Sequence, residues 1–384
     1  METLRSLRDL MARTETAAQA VFAHGPRRLA VASTSPDLVH GLTKGLDPFL
    51  PRAEPTEETD VRVIALAADP GDGVRSALAA GTETVVDASL YPTNTPGRRT
   101  ELGQGAHAVL VDRTRTVCLV LPREGTVCLL QPDEELLTLD TQRLVKGLAT
   151  ILAEAGDELV VHASAVVTPD GDALLFPGDS RNGKTTVLLH TLAHFEVAML
   201  SCDTTFLRVD DEAMHARGWP SNFSLSTGTM HDFGFLRGLM TPRQRDLTYR
   251  QAWDIYPKEV LDTRDVLKAA GASVVPEAPV RAVVFLNFDP DATTRIRPVT
   301  ELKEIRAWIE QVCLGSRDPL YPNWHGYREV PEEQLDRTVD RVARRITDRL
   351  PVYQMDWAPG PDQLLRHVDL LDAVSHHRTR GAAG

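Results

Sequence analysis

The stretch Phe176-Pro177-Gly178-Asp179-Ser180-Arg181-Asn182-Gly183-Lys184-Thr185-Thr186 decides how this chain is read. It is a complete G-x-x-x-x-G-K-[ST] pattern, and both flanks suit it. The apolar run at 173–176 predicts a strand, and 187–192 predicts the first turns of a helix. A loop between strand and helix turns several backbone N–H groups inward. The helix N-terminus adds about half a positive charge, so phosphate oxygens replace water there at little cost. Gly178, Asp179, Ser180, Arg181, Asn182, Gly183, Lys184, Thr185 and Thr186 are therefore the candidate nucleotide-binding residues. Lys184 is placed to reach the β- and γ-phosphates and Thr185 to put its hydroxyl on Mg²⁺, making ATP and Mg²⁺ the expected cofactors.

Upstream, the segment 158–167 (ELVVHASAVV) predicts a strand, and Thr168-Pro169-Asp170-Gly171-Asp172 a hairpin turn with an Asp-Gly step. The strand feeding the loop is then the return arm of a hairpin. In common nucleotide-binding folds it is instead the first strand of a parallel βαβ unit. Downstream, the apolar run 197–203 ends in Asp203, nineteen residues beyond Lys184. One helix and one short connection fill that interval, which puts Asp203 at the end of the next strand, on the ligand-binding edge of the sheet. A carboxylate there suits Mg²⁺ binding or acceptance of a proton from an attacking hydroxyl.

Composition narrows the classes further. The 384 residues carry a net charge of −12, which argues against a surface that tracks nucleic-acid phosphates. No apolar run approaches the roughly 20 residues needed to span a bilayer, and the first residues lack a signal-peptide core. A cytoplasmic protein with no membrane partner is expected. Cys118, Cys128, Cys202 and Cys313 have neither metal-ligand spacing nor disulfide density and read as reduced thiols. His24, His40 and His107 stand alone and carry no catalytic constellation.

The chain reads as α/β throughout: an N-terminal α/β accessory domain over 1–155, then a P-loop domain with a mixed sheet over 156–384. The periodicity predicts helices over 1–21, 36–50, 141–155, 332–350 and 363–375. Strands are predicted over 28–33, 61–66, 83–86, 107–112, 116–121, 126–131, 204–209, 280–288 and 352–357. The stretches 51–60 and 91–105 read as polar loops, and 379–384 as frayed. Between them, 218–228 reads equally as a lid loop or a surface turn. Arg243, Arg245 and Arg250 read best as a solvated face, and no spacing rule singles out Lys258 or Arg264.

Taken together, residues 158 to about 375 resemble the HPr kinase/phosphorylase C-terminal domain family, whose fold is related to that of phosphoenolpyruvate carboxykinase. The likeness rests on His162-Ala163-Ser164-Ala165-Val166, on GDSRNGKTT and on the strand ending at Asp203. It implies His162 beside the transferred phosphate, the loop residues Gly178, Ser180, Gly183, Lys184 and Thr185 around MgATP, and Asp203 serving metal and acceptor hydroxyl. Catalytic roles thus fall to Asp203, His162 and Lys184, with Thr185 and Asp203 on the metal. Two positions depart from the family pattern: Arg181 stands where a glycine is usual, and Cys202 where the first of two acids is usual.

Three functions compete. One is an ATP- and Mg-dependent kinase acting on a hydroxyl of a small molecule or peptide side chain, with homo-oligomerisation open. Another is a shikimate- or nucleoside-monophosphate-type kinase, against which the hairpin and the long upstream region argue. The third is a catalytically degenerate nucleotide-binding partner subunit, which the two departures favour.

Overall fold

The computed structural model describes residues 2–25, 27–54, 58–87, 95–219, 221–253, 258–289, 293–314, 323–328 and 330–357. Expectations for 363–375 and 379–384 lie outside them. The chain divides into two compact units, Met1–Asp157 with Leu314–Gln334, and Glu158–Cys313 with Leu335–Gly384. Both are α/β and both are built on mixed sheets. Among the described residues no helix is long and apolar enough to cross a membrane.

In the first unit the strands are β1 Ala18–His24, β2 Arg27–Ser33, β3 Arg52–Ala53, β4 Val61–Leu66, β5 Thr82–Asp87, β6 Thr95–Gly103, β7 Ala106–Val111, β8 Val117–Leu121 and β9 Thr126–Leu130. They form one sheet in the order β3-β1-β2-β4-β9-β8-β7-β6-β5, parallel only at β2–β4 and β4–β9. Every residue of β7, β8 and β9 is buried, which explains their continuous apolar sequence.

Four predicted elements differ, one of them the expected loop 51–60, whose Arg52–Ala53 is β3, paired with β1. The opening helix stops at Arg13, and the Ala-rich stretch after it is β1, because antiparallel pairing with β2 outweighs its helical propensity. Most of the expected loop 91–105 is β6, paired on both sides; its mainly exposed or half-exposed side chains hid the apolar alternation of a strand. The helix expected from 141 begins at Glu134, where the Asp133 carboxylate accepts from the amides of Glu135 and Leu136.

A short segment returns to this unit after Cys313. Trp324 and His325 are buried in it, and the Trp324 carbonyl lies 3.0 Å from Nε2 of His107. Arg328 donates from Nε to Glu154 at 3.1 Å, with both side chains nearly inaccessible.

In the second unit the strands are β10 Leu159–Val167, β11 Ala173–Pro177, β12 Ala198–Ser201, β13 Thr204–Val209, β14 Met214–Gly218, β15 Phe223–Leu225, β16 Glu259–Leu261, β17 Glu277–Phe288, β18 Arg295–Pro298 and β19 Val352–Trp357. Two long strands are shared along their length. The first half of β10 pairs with β13 and the second half with β11 and β12; β17 likewise passes from β14 to β11 and β19. Strands β10, β13, β14, β17 and β11 therefore pair in a closed circuit, with a core of residues such as Val161, Ala165, Leu207 and Val283. The helices Leu302–Val312 and Glu332–Arg349 cover it with Ile305, Ile309, Leu335, Val339, Val342 and Ile346, each worth about 1.5–3 kcal/mol of burial.

Arg328→Met removes this guanidinium from the buried Glu154 carboxylate. Removing one partner of such a pair costs about 3–5 kcal/mol, so urea unfolding of the full chain should shift accordingly. A midpoint unchanged from wild type would show that the pair is dispensable to the first unit.

Candidate functional site

β10 and β11 form the predicted hairpin, closed by Gly171 N–H to Thr168 O at 2.9 Å. The chain leaves β11 at Pro177 and enters the helix Lys184–His194 at Gly183, whose cap position has no side-chain hydrogen bond. No capping side chain therefore meets the amides of the first helical turn.

The loop is held from outside by β10, β17 and β19. Gly178 N–H donates to the His162 carbonyl at 3.2 Å, and Asn182 donates from Nδ2 to the Leu286 carbonyl at 3.2 Å. Trp357, at the end of β19, donates from Nε1 to the Asn182 carbonyl at 2.8 Å. Its ring lies against Gly183, where a Cβ would fall 1.6 Å from Trp357 Cζ2. Gly183 has φ +85°, so sterics and backbone conformation both demand glycine there. Arg181 also has positive φ, 72°, a conformation that glycine adopts without strain.

Lys184 is buried, and its Nζ donates to the Asp179 carbonyl at 3.0 Å. Burial pushes its pKa down to about 8, against the upward pull of Asp203 and Asp179 and with a further downward push from Lys258. A lysine with a depressed folded-state pKa costs stability in full below about pH 8, and the cost is relieved as pH rises from there toward its ordinary value. Thr186 is buried, whereas Thr185 is partly exposed. Asp179, Ser180 and Arg181 are exposed at the loop tip.

Asp203 occupies a break in a strand. β12 and β13 both run antiparallel to β10 along the same edge, and Cys202-Asp203 interrupts them opposite His162 and Ala163. Asp203 is thus beyond β12, as expected, although β12 is antiparallel to its neighbour. Its Oδ1 lies 3.0 Å from Nε2 of His162, and its side chain is 51% exposed. Burial pushes the carboxyl up, but the His162 hydrogen bond and the charges of His162, Lys184 and Lys258 hold it below the usual range. An ionised carboxylate only accepts, so Nε2 of His162 carries the proton. Asp203, His162 and Lys184 therefore meet at one place.

Cys202 does not join them. Its side chain is buried and Sγ donates to the Ser221 carbonyl at 3.3 Å. The segment around Ser221 is part of an arch rather than a plain turn: β15 pairs with β16 there, and Ser226 caps the helix Thr227–Asp232. Arg264 is paired to Asp262. Arg243, Arg245 and Arg250 are exposed. Sequence reasoning passed over Trp357, whose only signal is an aromatic residue ending the last strand.

No protein-family model matches this chain, and no curated protein matches it in sequence. Among solved structures, the chain is similar to the Hpr(Ser) kinase/phosphatase from Coxiella burnetii, with 13% identity over 56% of this chain and 88% of that one, at a TM-score of 0.28. Similarity of that degree carries no functional argument.

Cys202→Asp would restore the acid pair in sequence, but it would aim a buried carboxylate at the carbonyl oxygens of Ser221 and Asn222. It should lower stability by at least about 2 kcal/mol, read as a fall in thermal midpoint, with no gain in nucleotide turnover. A variant as stable as wild type with raised turnover would show that Cys202 faces the site.

Proposed function

We propose that this protein is an ATP- and Mg-dependent phosphotransferase, similar to HPr kinase in its loop and hairpin, that phosphorylates a hydroxyl on a small molecule or peptide side chain. The observation that carries this reading is the convergence of a buried ammonium, an uncapped helix N-terminus and an ionised carboxylate hydrogen-bonded to a histidine. Those groups fit a nucleotide's phosphates. A buried cation whose burial is unfavourable gains most from an anion, and free amides at a helix start supply the remaining contacts.

In this reading Gly178 and Ser180, whose amides donate to the His162 carbonyl and the Asp179 carboxylate, shape the loop, and the backbone amides at the helix start from Gly183 onward meet the phosphate oxygens. Lys184 exchanges the Asp179 carbonyl for a phosphate, and Arg181 adds charge at the loop tip. Asp179, Asn182 and Thr186 act through the loop's shape. Mg²⁺, when bound with the nucleotide, would neutralise phosphate charge, held by Thr185 and Asp203.

Asp203 alone is a weak base, because its neighbours stabilise the ionised form. The acceptor hydroxyl's proton would therefore pass to Nδ1 of His162, because Nε2 already carries one, with Asp203 orienting the acceptor, accepting from Nε2–H and offsetting the positive charge that develops on the imidazole. One observation favours a second reading, a nucleotide-binding partner subunit: the family's first acid is replaced by a thiol turned away toward Ser221.

Label transfer from γ-phosphate-labelled ATP to pools of hydroxyl-bearing peptides and small molecules separates the two. Wild type should transfer label, and Asp203→Asn should bind nucleotide while transfer falls at least about 10²-fold. Full transfer by Asp203→Asn would exclude the carboxylate. Tight nucleotide binding by wild type with no transfer to any pool would install the binding-subunit reading.

A further inference from the structure

The last residues of β17 and β19 stand beside the phosphate loop on the side away from Asp203. β11 pairs along one edge with β10, the strand of His162, and along the other with β17, which pairs in turn with β19. β11, β17 and β19 run parallel, so the chain leaves all three at the end of the sheet where the loop begins. That end is where open α/β sheets take their ligands. Leu175 lies opposite Val283, so β17, ending at Phe288, runs past the level at which β11 ends at Pro177. The loop itself reaches this extension, through Asn182 Nδ2 on the Leu286 carbonyl.

Successive residues of a strand face opposite ways. The pairings Asn287↔Asp356 and Phe288↔Trp357 therefore sort these strand ends onto two faces. On one face the Asp356 carboxylate accepts from Asn287 Nδ2 at 2.8 Å and from Arg295 Nε at 2.9 Å. On the other, Phe288 and Trp357 lie side by side, with ring centroids 5.0 Å apart and planes inclined at 56°. Trp357 is buried there, its ring against Gly183 and its indole N–H on the Asn182 carbonyl. Phe288 is 36% exposed. A single exposed aromatic is ordinary on a protein surface. This one stands on the loop's face of the sheet, against the ring that shapes the loop.

We propose that Phe288 stacks on the base of the nucleotide whose phosphates the 178–186 loop holds, with Trp357 fixing the place of its ring. The inference rests on the nucleotide reading of that loop. Asp203 and His162, where the terminal phosphoryl group would sit, are on the β10 side of β11. A nucleotide lying across the loop then carries its nucleoside end to the β17–β19 side, where the exposed ring is. Stacking takes the open part of an aromatic out of water and asks for no polar partner. It also gives affinity without reading the edge of the base, since every base has a π-face. The two ends of the ligand are thus served by separate groups, Lys184 and the helix amides at the phosphates and Phe288 at the base.

The test is calorimetric binding of MgATP and of the Mg complex of inorganic tripolyphosphate, which has the phosphates and no base, to the full-length chain. Phe288→Ala should lose at least about fivefold in MgATP affinity, the size of one base–aromatic stack, and less than about twofold in tripolyphosphate affinity. Phe288→Leu keeps an apolar side chain against Trp357 and should show a loss of the same selectivity, while Phe288→Tyr should bind both ligands as wild type does. Unchanged tripolyphosphate binding also shows that the loop is intact in each variant. Equal losses for the two ligands in both Phe288→Ala and Phe288→Leu would make Phe288 a support of the loop and overturn the stack. Unchanged MgATP affinity in those variants would overturn it too. A wild type that binds neither ligand would overturn the nucleotide reading itself.

Discussion

The candidate site depends on an ammonium group held inside the protein next to backbone rather than locked to a carboxylate. Lys184 donates to the Asp179 carbonyl, within a loop whose shape is imposed from behind by the Trp357 ring on Gly183. A tight salt bridge would satisfy the cation and leave it little to gain from a ligand. A carbonyl is a weaker partner, and burial already lowers the ammonium's affinity for its proton. Below about pH 8, an anion beside the ammonium would recover the free energy spent on burying that charge.

The same economy governs the other side of the site. The break between β12 and β13 leaves Asp203 half-exposed opposite β10, where His162 bonds to it from a strand that also accepts the first amide of the loop. One strand, β10, therefore sets the positions of both histidine and loop. The neighbouring thiol, instead of doing acid chemistry, ties down the arch. The Cys202 thiol lies against the carbonyl oxygens of Ser221 and Asn222, where a carboxylate would meet acceptors.

Much of this was legible in residue order. The Gly-Lys-Thr pattern, the Asp-Gly turn and the apolar run before Asp203 each carry a local signal, and each describes the backbone that forms. What sequence could not supply was contact across the chain. Trp357 lies far from Gly183 in sequence, and nothing local marks an aromatic that will cover a glycine. In the first unit, β1 looked helical because alanine-rich sequence favours a helix until a partner strand is available. β6 looked like a loop because its side chains are mostly exposed or half-exposed. The return of 323–328 to that unit rests on buried contacts of Trp324 and Arg328, which no periodicity announces.

The most direct measurement is a calorimetric titration of MgATP into wild type and Lys184→Ala at pH 8, in two buffers of different ionisation enthalpy. Lys184 in the ligand-free protein has a pKa of about 8. A phosphate beside it restores the charged form, so wild-type binding should take up about half a proton more than binding by the variant. Lys184→Ala should bind at least about tenfold more weakly. Equal affinity and equal proton uptake in the two proteins would contradict the account.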